Sequence, residues 1–157
     1  MKPKVILLVG PPLSGKDTYI NSIGALGYKV ISRDEIMMSL HENNNYSEAF
    51  RTVDQKKVDS ILKKEITYSI ENKRDIIINM TNLKRKSRKR IMDKFSGTDY
   101  EKIAIVFPKL ELNEYFRRNE KRNTEENKFI PTKVINSMIE SWEDVTTNEG
   151  FDNIIKL

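Results

Sequence analysis

Residues 10–18 have the residue types and spacing of a loop that binds phosphate. Their sequence, GPPLSGKDT, matches the pattern G-x-x-x-x-G-K-[ST] at both glycines and at Lys16. Gly10 and Gly15 allow backbone conformations that bring N–H groups close to phosphate oxygens, and the lysine adds a mobile ammonium group. The sequence departs from the pattern at Asp17, because the hydroxyl group comes one residue later. We expect nucleotide phosphates to bind at this loop, which consists of Gly10, Pro11, Pro12, Leu13, Ser14, Gly15, Lys16, Asp17 and Thr18.

The pair Arg33-Asp34 follows a second apolar run, at residues 28–31. Transfer of a terminal phosphoryl group requires that the attacking hydroxyl be oriented and its proton accepted. Asp34 is the candidate for this general base, and Arg33 is a candidate for contact with substrate. The alternative for Asp34 is structural, because either Ser32 or Asp34 can cap the helix that begins here.

Two arginines, Arg118 and Arg122, are four residues apart, so a helix places both on one side. Guanidinium groups in this arrangement can neutralise charge on a phosphoryl group during its transfer. The alternative is a solvated basic face of a helix, which is what most runs of charge are.

Residues 84–90 hold six cations in seven positions, directly after the polar pair Thr81-Asn82. We expect Thr81 and Asn82 to receive substrate, and an ordinary polar turn is the alternative. The basic tract, through Arg85 and Arg88, can bind successive phosphates of a nucleic acid strand. A solvated helix start is the alternative for the tract.

The apolar patterns predict strands that alternate with helices. Such alternation gives a parallel sheet with helices on both faces, and ligands bind beyond the carboxyl ends of its strands. The polar clusters described above all fall at such ends. We predict a single α/β domain, residues 1–157, with strands at residues 5–9, 28–31, 75–79, 102–107 and 153–157. We also predict a polar break at residues 43–45, a long helix at residues 47–72 and a polar, mobile segment at residues 123–128.

Composition limits the class of protein. The 157 residues include no cysteine, which excludes disulfides and thiolate metal sites and is typical of a reducing compartment. The sequence has no apolar run long enough to span a membrane, and the first strand begins too early to leave room for a signal peptide. We therefore expect a cytoplasmic protein without a membrane partner. The net charge of +5 and the pI near 9.3 are compatible with a polyanionic partner.

The motifs occur in an order that resembles the kinase domain of the 5′-hydroxyl polynucleotide kinases of bacteriophage and animals, within the small P-loop kinases. The resemblance covers nearly the whole chain but includes no phosphatase motif Asp-x-Asp-x-Thr. It implies the P-loop kinase fold, with five parallel strands in the order 2-3-1-4-5 and a small helical lid at about residues 113–130. The motifs are Gly10-x-x-x-x-Gly15-Lys16, Arg33-Asp34, Thr81-Asn82, Arg118-Asn119-x-x-Arg122, Ile130-Pro131, Trp142-Glu143 and Glu149-Gly150-Phe151.

The resemblance also implies roles for individual residues. Asp34 corresponds to the general base, and Arg118 and Arg122 to the arginines of the lid, where Arg118 can instead hold the adenine end of the nucleotide. Arg88 corresponds to an arginine of the family on the helix that follows the substrate turn. The cofactors implied are ATP and Mg²⁺.

Three positions depart from the family pattern. The resembling kinases carry an acidic residue that helps to organise magnesium just before the Thr-Asn pair, where this chain has Asn79 and Met80. Met37 stands where the phage enzyme has an arginine that grips a phosphate of the acceptor. We hypothesise that Asp17 compensates for the missing acid by holding magnesium, because carboxylates are good ligands for this ion.

The function predicted is ATP-dependent transfer of a phosphoryl group to the 5′-hydroxyl of a DNA or RNA end, as in phage-like nucleic-acid end repair. One alternative is a kinase of a nucleoside, a nucleotide or another small metabolite, since the same scaffold serves many acceptors. A second alternative is a non-catalytic nucleotide-binding protein in which the metal site has decayed. The sequence leaves open the choice of DNA or RNA, the triphosphate donor and the oligomeric state.

Overall fold

Five strands form one parallel sheet in the computed structural model, which describes residues 2–23, 27–41 and 46–157. The sheet order is 2-3-1-4-5, as the resemblance to the small P-loop kinases implies. Strand β1 pairs with two neighbours, through Ile6 beside Ile77 on one side and beside Ile103 on the other. The strands are β1 (Lys4–Val9), β2 (Tyr28–Ser32), β3 (Asp75–Asn79), β4 (Glu101–Val106) and β5 (Asn153–Lys156).

Helices cover both faces of the sheet. Because alternate residues of a strand point to opposite faces, Leu7 and Ile78 join the core on one side, whereas Leu8 and Ile77 join the core on the other. The helices of the described residues are α1 (Lys16–Ser22), α2 (Arg33–Ser39), α3 (Tyr46–Thr52), α4 (Gln55–Glu71), α5 (Arg85–Met92), α6 (Leu112–Glu126) and α7 (Thr132–Glu140). Over the described ranges, no helix is both long and apolar enough to cross a membrane.

Two predicted boundaries are wrong. The helix predicted at residues 47–72 is two helices, since α3 ends at Thr52 and Asp54 caps α4 by accepting a 3.0 Å hydrogen bond from the Lys56 N–H. The apolar pattern continues through this break and does not reveal it. The polar segment predicted at residues 123–128 is mostly helical, because α6 continues to Glu126 and ends where Asn127 adopts a φ of 53°. The polar break predicted at residues 43–45 lies outside the described residues.

Arg88 is inside the protein, with 0% of its surface exposed. Its Nε donates to Glu149 Oε1 at 2.7 Å, and its Nη1 donates to the carbonyls of Asn82 and Leu83, both at 2.9 Å. Its Nη2 donates to the Asp144 carbonyl at 3.2 Å. Arg88 is therefore not available to contact substrate, contrary to the prediction. Its role is structural, because the guanidinium joins the turn after β3 to residues 144–149.

Loss of the Glu149 carboxylate should destabilise the fold strongly. Glu149→Ala would leave the Arg88 guanidinium buried without its counter-ion, so we expect the free energy of unfolding to fall by about 3 kcal/mol or more. Urea denaturation at neutral pH measures this change. Lys89→Ala is the matched control, because it breaks the exposed pair between Lys89 and Asp93, 2.9 Å apart, and should change stability little. Equal effects of the two substitutions would contradict the assignment.

Candidate active site

The phosphate loop, residues 10–18, lies at the carboxyl end of β1 and needs both of its glycines. A Cβ atom on Gly10 would lie 3.0 Å from Ser14 Oγ and 3.1 Å from Phe107 Cβ, so a side chain there would force these neighbours to move by a few tenths of an ångström. Gly15 caps α1 with a φ of 93°, which disfavours any residue with a side chain. The N–H of Gly10 donates to the Thr81 carbonyl at 3.0 Å, so the loop begins against the turn after β3.

Lys16 is held within the loop. Its Nζ donates to the carbonyls of Gly10 and Pro11, both at 2.8 Å. Burial lowers the pKa of this ammonium to about 8, and Asp17 and Asp34 counteract part of that effect. Phosphate oxygens at the loop would accept hydrogen bonds from the same ammonium and raise its pKa again.

Asp34 lies in the first turn of α2, next to the phosphate loop. Ser32 is the residue that caps α2, since its hydroxyl accepts a 3.3 Å hydrogen bond from the Glu35 N–H. The carboxylate of Asp34 is therefore not the helix cap. The residue is exposed at the rim of the site, yet enough protein surrounds its carboxyl group for burial to raise its pKa.

Five charged side chains meet at this point of the molecule. Lys16, Arg122 and Lys128 each favour the charged form of Asp34 and so work against the rise in its pKa, whereas Asp17 adds to that rise. The structure thus brings together residues from the phosphate loop, α1, α2, α6 and the segment after α6. A carboxylate among cations next to a phosphate loop can accept a proton from a hydroxyl that attacks a phosphoryl group.

Helix α6 places its two candidate arginines above the loop. Arg118 donates to the Leu13 carbonyl at 2.8 Å and, through Nε, to Glu114 Oε1 at 2.9 Å. Leu13 has a φ of 73°, so this hydrogen bond supports a strained position of the phosphate loop. The Nε of Arg122 is buried and has no hydrogen-bond partner among the described residues. A group of this kind is costly to leave unpaired and is suited to receive an anionic ligand.

The other predicted substrate residues lie apart from the five charges or contribute through the backbone. Arg33 forms an ion pair with Asp59 and donates to Gln55 Oε1 at 2.9 Å, which ties α2 to α4. Asn82 is 3% exposed, with a φ of 49°, and its Nδ2 donates to the Leu8 carbonyl at 2.7 Å. Thr81 supplies the carbonyl that receives the Gly10 N–H, and Arg85 is exposed at the beginning of α5.

Asp17 and Asn79 are in contact, although they are far apart in the sequence. The Nδ2 of Asn79 donates to Asp17 Oδ1 at 2.9 Å. The carboxylate of Asp17 therefore takes up the space next to the end of β3, where the family pattern has its own acid. Over residues 2–23, 27–41 and 46–157, no group of three or more His, Cys, Asp and Glu side chains could hold a metal. This donor set fits Mg²⁺ bound with a nucleotide, because that ion usually takes one or two carboxylates together with phosphates and water.

Sequence reasoning missed Lys128. The segment that carries it is fixed by Asn119, which is 1% exposed and bonds to both sides of the Ile130 backbone. Its Nδ2 donates to the Ile130 carbonyl at 2.7 Å, and its Oδ1 accepts from the Ile130 N–H at 3.1 Å. The available signal was Asn119 itself, a polar residue between two predicted site arginines.

The fold and the phosphate loop together define a nucleotide-binding protein with a P-loop kinase fold. The model of the AAA domain family matches residues 5–145, and the chain belongs to that family.

Individual known proteins are similar to this chain over different shares of their own length. The Arabidopsis thaliana protein called transcription factor bHLH140 is 27% identical over 157 residues, which are 98% of this chain and 16% of that protein. A chain of the Pnkp1/Rnl/Hen1 RNA repair complex superposes with a TM-score of 0.71 at 22% identity, over 89% of this chain and 44% of that one. A gluconokinase from Sinorhizobium meliloti 1021 superposes with a TM-score of 0.58 at 18% identity, over 99% of this chain and 82% of that one. The two structures share the fold with this chain.

Above about pH 8, the protein should take up a proton when it binds a nucleotide. In the free protein Lys16 loses its proton as the pH rises through about 8, whereas bound phosphates stabilise the ammonium. We therefore expect the affinity for ADP, at constant Mg²⁺, to be level below that pH and to fall above it.

Calorimetric titration at about pH 9, in two buffers of different ionisation enthalpy, counts the proton taken up. Lys16→Arg is the control, because a guanidinium stays charged at this pH. Proton uptake that is absent in the wild type, or that persists in Lys16→Arg, would contradict the assignment.

Proposed function

We propose that this protein is an ATP- and Mg²⁺-dependent kinase that phosphorylates the 5′-hydroxyl of a DNA or RNA end. The observation that supports the proposal best is that Lys16 and Arg122 are both near enough to Asp34 to favour its charged form. A base, a phosphate loop and cations on a neighbouring helix are the parts that phosphoryl transfer to a hydroxyl requires. The likeness to a chain of an RNA repair complex supports a nucleic acid acceptor.

Each charged group has a separate task in this proposal. The loop N–H groups and Lys16 bind the outer phosphates of the donor, and Asp34 orients the attacking hydroxyl and accepts its proton. Arg122 and Arg118 neutralise charge on the phosphoryl group as it moves. Asp17 would hold Mg²⁺, which supplies positive charge between the phosphates when it is bound.

The exposed face of α5 supports a polynucleotide acceptor. The side chains of Arg85, Lys86, Lys89 and Arg90 are exposed on this helix, which begins directly after the Thr81-Asn82 turn. A cleft of about 470 Å³ is lined by three of these cations, Arg85, Lys86 and Lys89, and by Phe151. Phosphates of a strand can contact the cations while a base stacks on an aromatic ring.

A kinase of a small metabolite is the second candidate. The likeness to a gluconokinase favours it, as does Met37, which is buried and offers no charge to an acceptor. A nucleotide-binding protein without kinase activity is the third, favoured by the amide of Asn79 in place of an acid. Radiolabel transfer from ATP to a panel of 5′-hydroxyl oligonucleotides, nucleosides and sugars separates the three candidates.

Asp34→Asn should abolish most of the transfer and leave nucleotide binding intact. A positioned general base contributes roughly a hundred- to ten-thousandfold to the rate, and the amide cannot accept the proton. Because burial raises the pKa of Asp34, the wild-type rate should fall with decreasing pH at values above those of an ordinary aspartate. Rate–pH profiles and ADP titrations of both proteins measure these effects. A variant that retains the wild-type rate would refute the assignment of the base.

The cations of α5 should matter for long acceptors only. Replacing Arg85, Lys86 and Arg90 with Ala should weaken binding of a 5′-hydroxyl oligonucleotide. The fall of log K with log salt should become less steep, by about 1 for each phosphate that is no longer neutralised. Fluorescence anisotropy at several salt concentrations measures both quantities. Replacing Lys57, Lys63 and Lys64 on α4 removes the same charge from another exposed surface and should have little effect. Equal effects of the two triple variants would argue against a strand along α5.

A further inference from the structure

Asp17 belongs to the phosphate loop and carries a negative charge into it. Asp17 follows Lys16 directly in the first turn of α1, and its charge acts on both Lys16 and Asp34. The amide of Asn79 holds one of its oxygens at 2.9 Å, which fixes the side chain near the phosphate loop. A negative charge is thus built into a loop whose ligand is itself an anion.

Such a charge has opposite effects on a free nucleotide and on its metal complex. A carboxylate a few ångströms from a polyphosphate repels it, and the repulsion grows with each phosphate charge nearby. A divalent cation between the two anions converts the repulsion into two attractions, because carboxylate and phosphate oxygens are both ligands of hard cations. A serine or threonine hydroxyl at this position is neutral and does not penalise the free nucleotide.

Other charges of the site do not remove this effect. Lys16, Arg122 and Lys128 attract phosphate and Asp34 repels it, but these charges are the same whichever residue stands at position 17. The carboxylate of Asp17 therefore lowers the affinity for a free nucleotide relative to a neutral side chain at the same position. The Nδ2 of Asn79 neutralises no charge, because an amide is uncharged, and it leaves the second oxygen of Asp17 for a cation.

We propose that Asp17, positioned by Asn79, makes nucleotide binding depend on a divalent cation, so that the loop admits the metal–nucleotide complex and rejects the free nucleotide. The inference rests on the nucleotide site of the proposed function but not on phosphoryl transfer. It makes Asp17 a selectivity element that acts before any chemistry.

The test is calorimetric titration of the full chain with ADP, once with excess MgCl₂ and once with EDTA. The two conditions give a ratio of dissociation constants for the wild type, for Asp17→Asn and for Asp17→Ser. Glu71→Gln is the matched control, because it removes one exposed acidic charge at the end of α4. This helix leads into the amino end of β3, whereas the phosphate loop lies at the carboxyl ends of the strands. Asp17 is itself exposed, so its substitution should leave the fold intact.

We expect Asp17→Asn to bind ADP roughly tenfold or more tightly than the wild type in EDTA, because the repulsion is gone. In Mg²⁺ the same variant should bind ADP no better than the wild type, or less well. Asp17→Ser should also gain affinity in EDTA and retain part of the response to Mg²⁺, and Glu71→Gln should match the wild type in both conditions. An Asp17→Asn effect of equal size and sign in the two conditions would overturn the inference.

The outcome is separable from that of the kinase proposal. If Asp17→Asn loses the metal dependence of ADP binding that the wild type shows, but the wild type transfers phosphate to no acceptor, the inference stands and the kinase proposal fails. If acceptors are phosphorylated and Asp17→Asn shows equal ADP affinity to the wild type in EDTA, the kinase proposal stands and the inference fails.

Discussion

The turn after β3 joins the two halves of the site, and the hydrogen bond from Gly10 N–H to the Thr81 carbonyl is the contact on which the arrangement depends. A second bond, from Asn82 Nδ2 to the Leu8 carbonyl, fixes the same turn to the last residues of β1. Together these bonds set where the phosphate loop leaves the sheet. The loop then reaches Gly15 and Lys16 in the conformation that phosphate binding needs.

The position of this turn depends on groups that lie far along the chain. Arg88 donates to two of its carbonyls and is neutralised by Glu149, whose carboxylate also accepts from the Thr146 N–H at 2.7 Å. Burial tends to raise the pKa of Glu149, but the hydrogen bonds from Arg88 and Thr146 outweigh it and hold that pKa below its usual range. Residues 144–149 thus support the phosphate loop without touching it. A substitution there can alter nucleotide binding through Arg88 alone.

The sequence predicts the sheet and the phosphate loop well, because both depend on local patterns. Continuous apolar runs give the buried strands, and the Gly-x-x-x-x-Gly-Lys spacing gives the loop. The roles of single polar residues are less predictable. Asn82 and Arg88 have the residue types that bind substrate, but their side chains are used to satisfy buried backbone carbonyls. Whether a polar side chain faces a ligand or a carbonyl depends on contacts between distant segments, which one sequence does not display.

For the same reason, the sequence alone does not reveal the place of Lys128 in the site or the hydrogen bond between Asn79 and Asp17. Lys128 lies in a segment that reads as polar and irregular, and its position is set by the buried amide of Asn119. The hypothesis that Asp17 compensates for a missing acid links two positions by function, and the 2.9 Å contact links them in space.

The double hydrogen bond of Asn119 with Ile130 has a mechanical consequence. It joins α6 to the segment that follows it. Arg118, Arg122 and Lys128 therefore move together whenever α6 changes its distance from the phosphate loop. Arg118 also donates to the Leu13 carbonyl, so a movement of α6 away from the phosphate loop must break this hydrogen bond. The cations of α6 and of the segment after it therefore approach or leave the phosphate loop as a set.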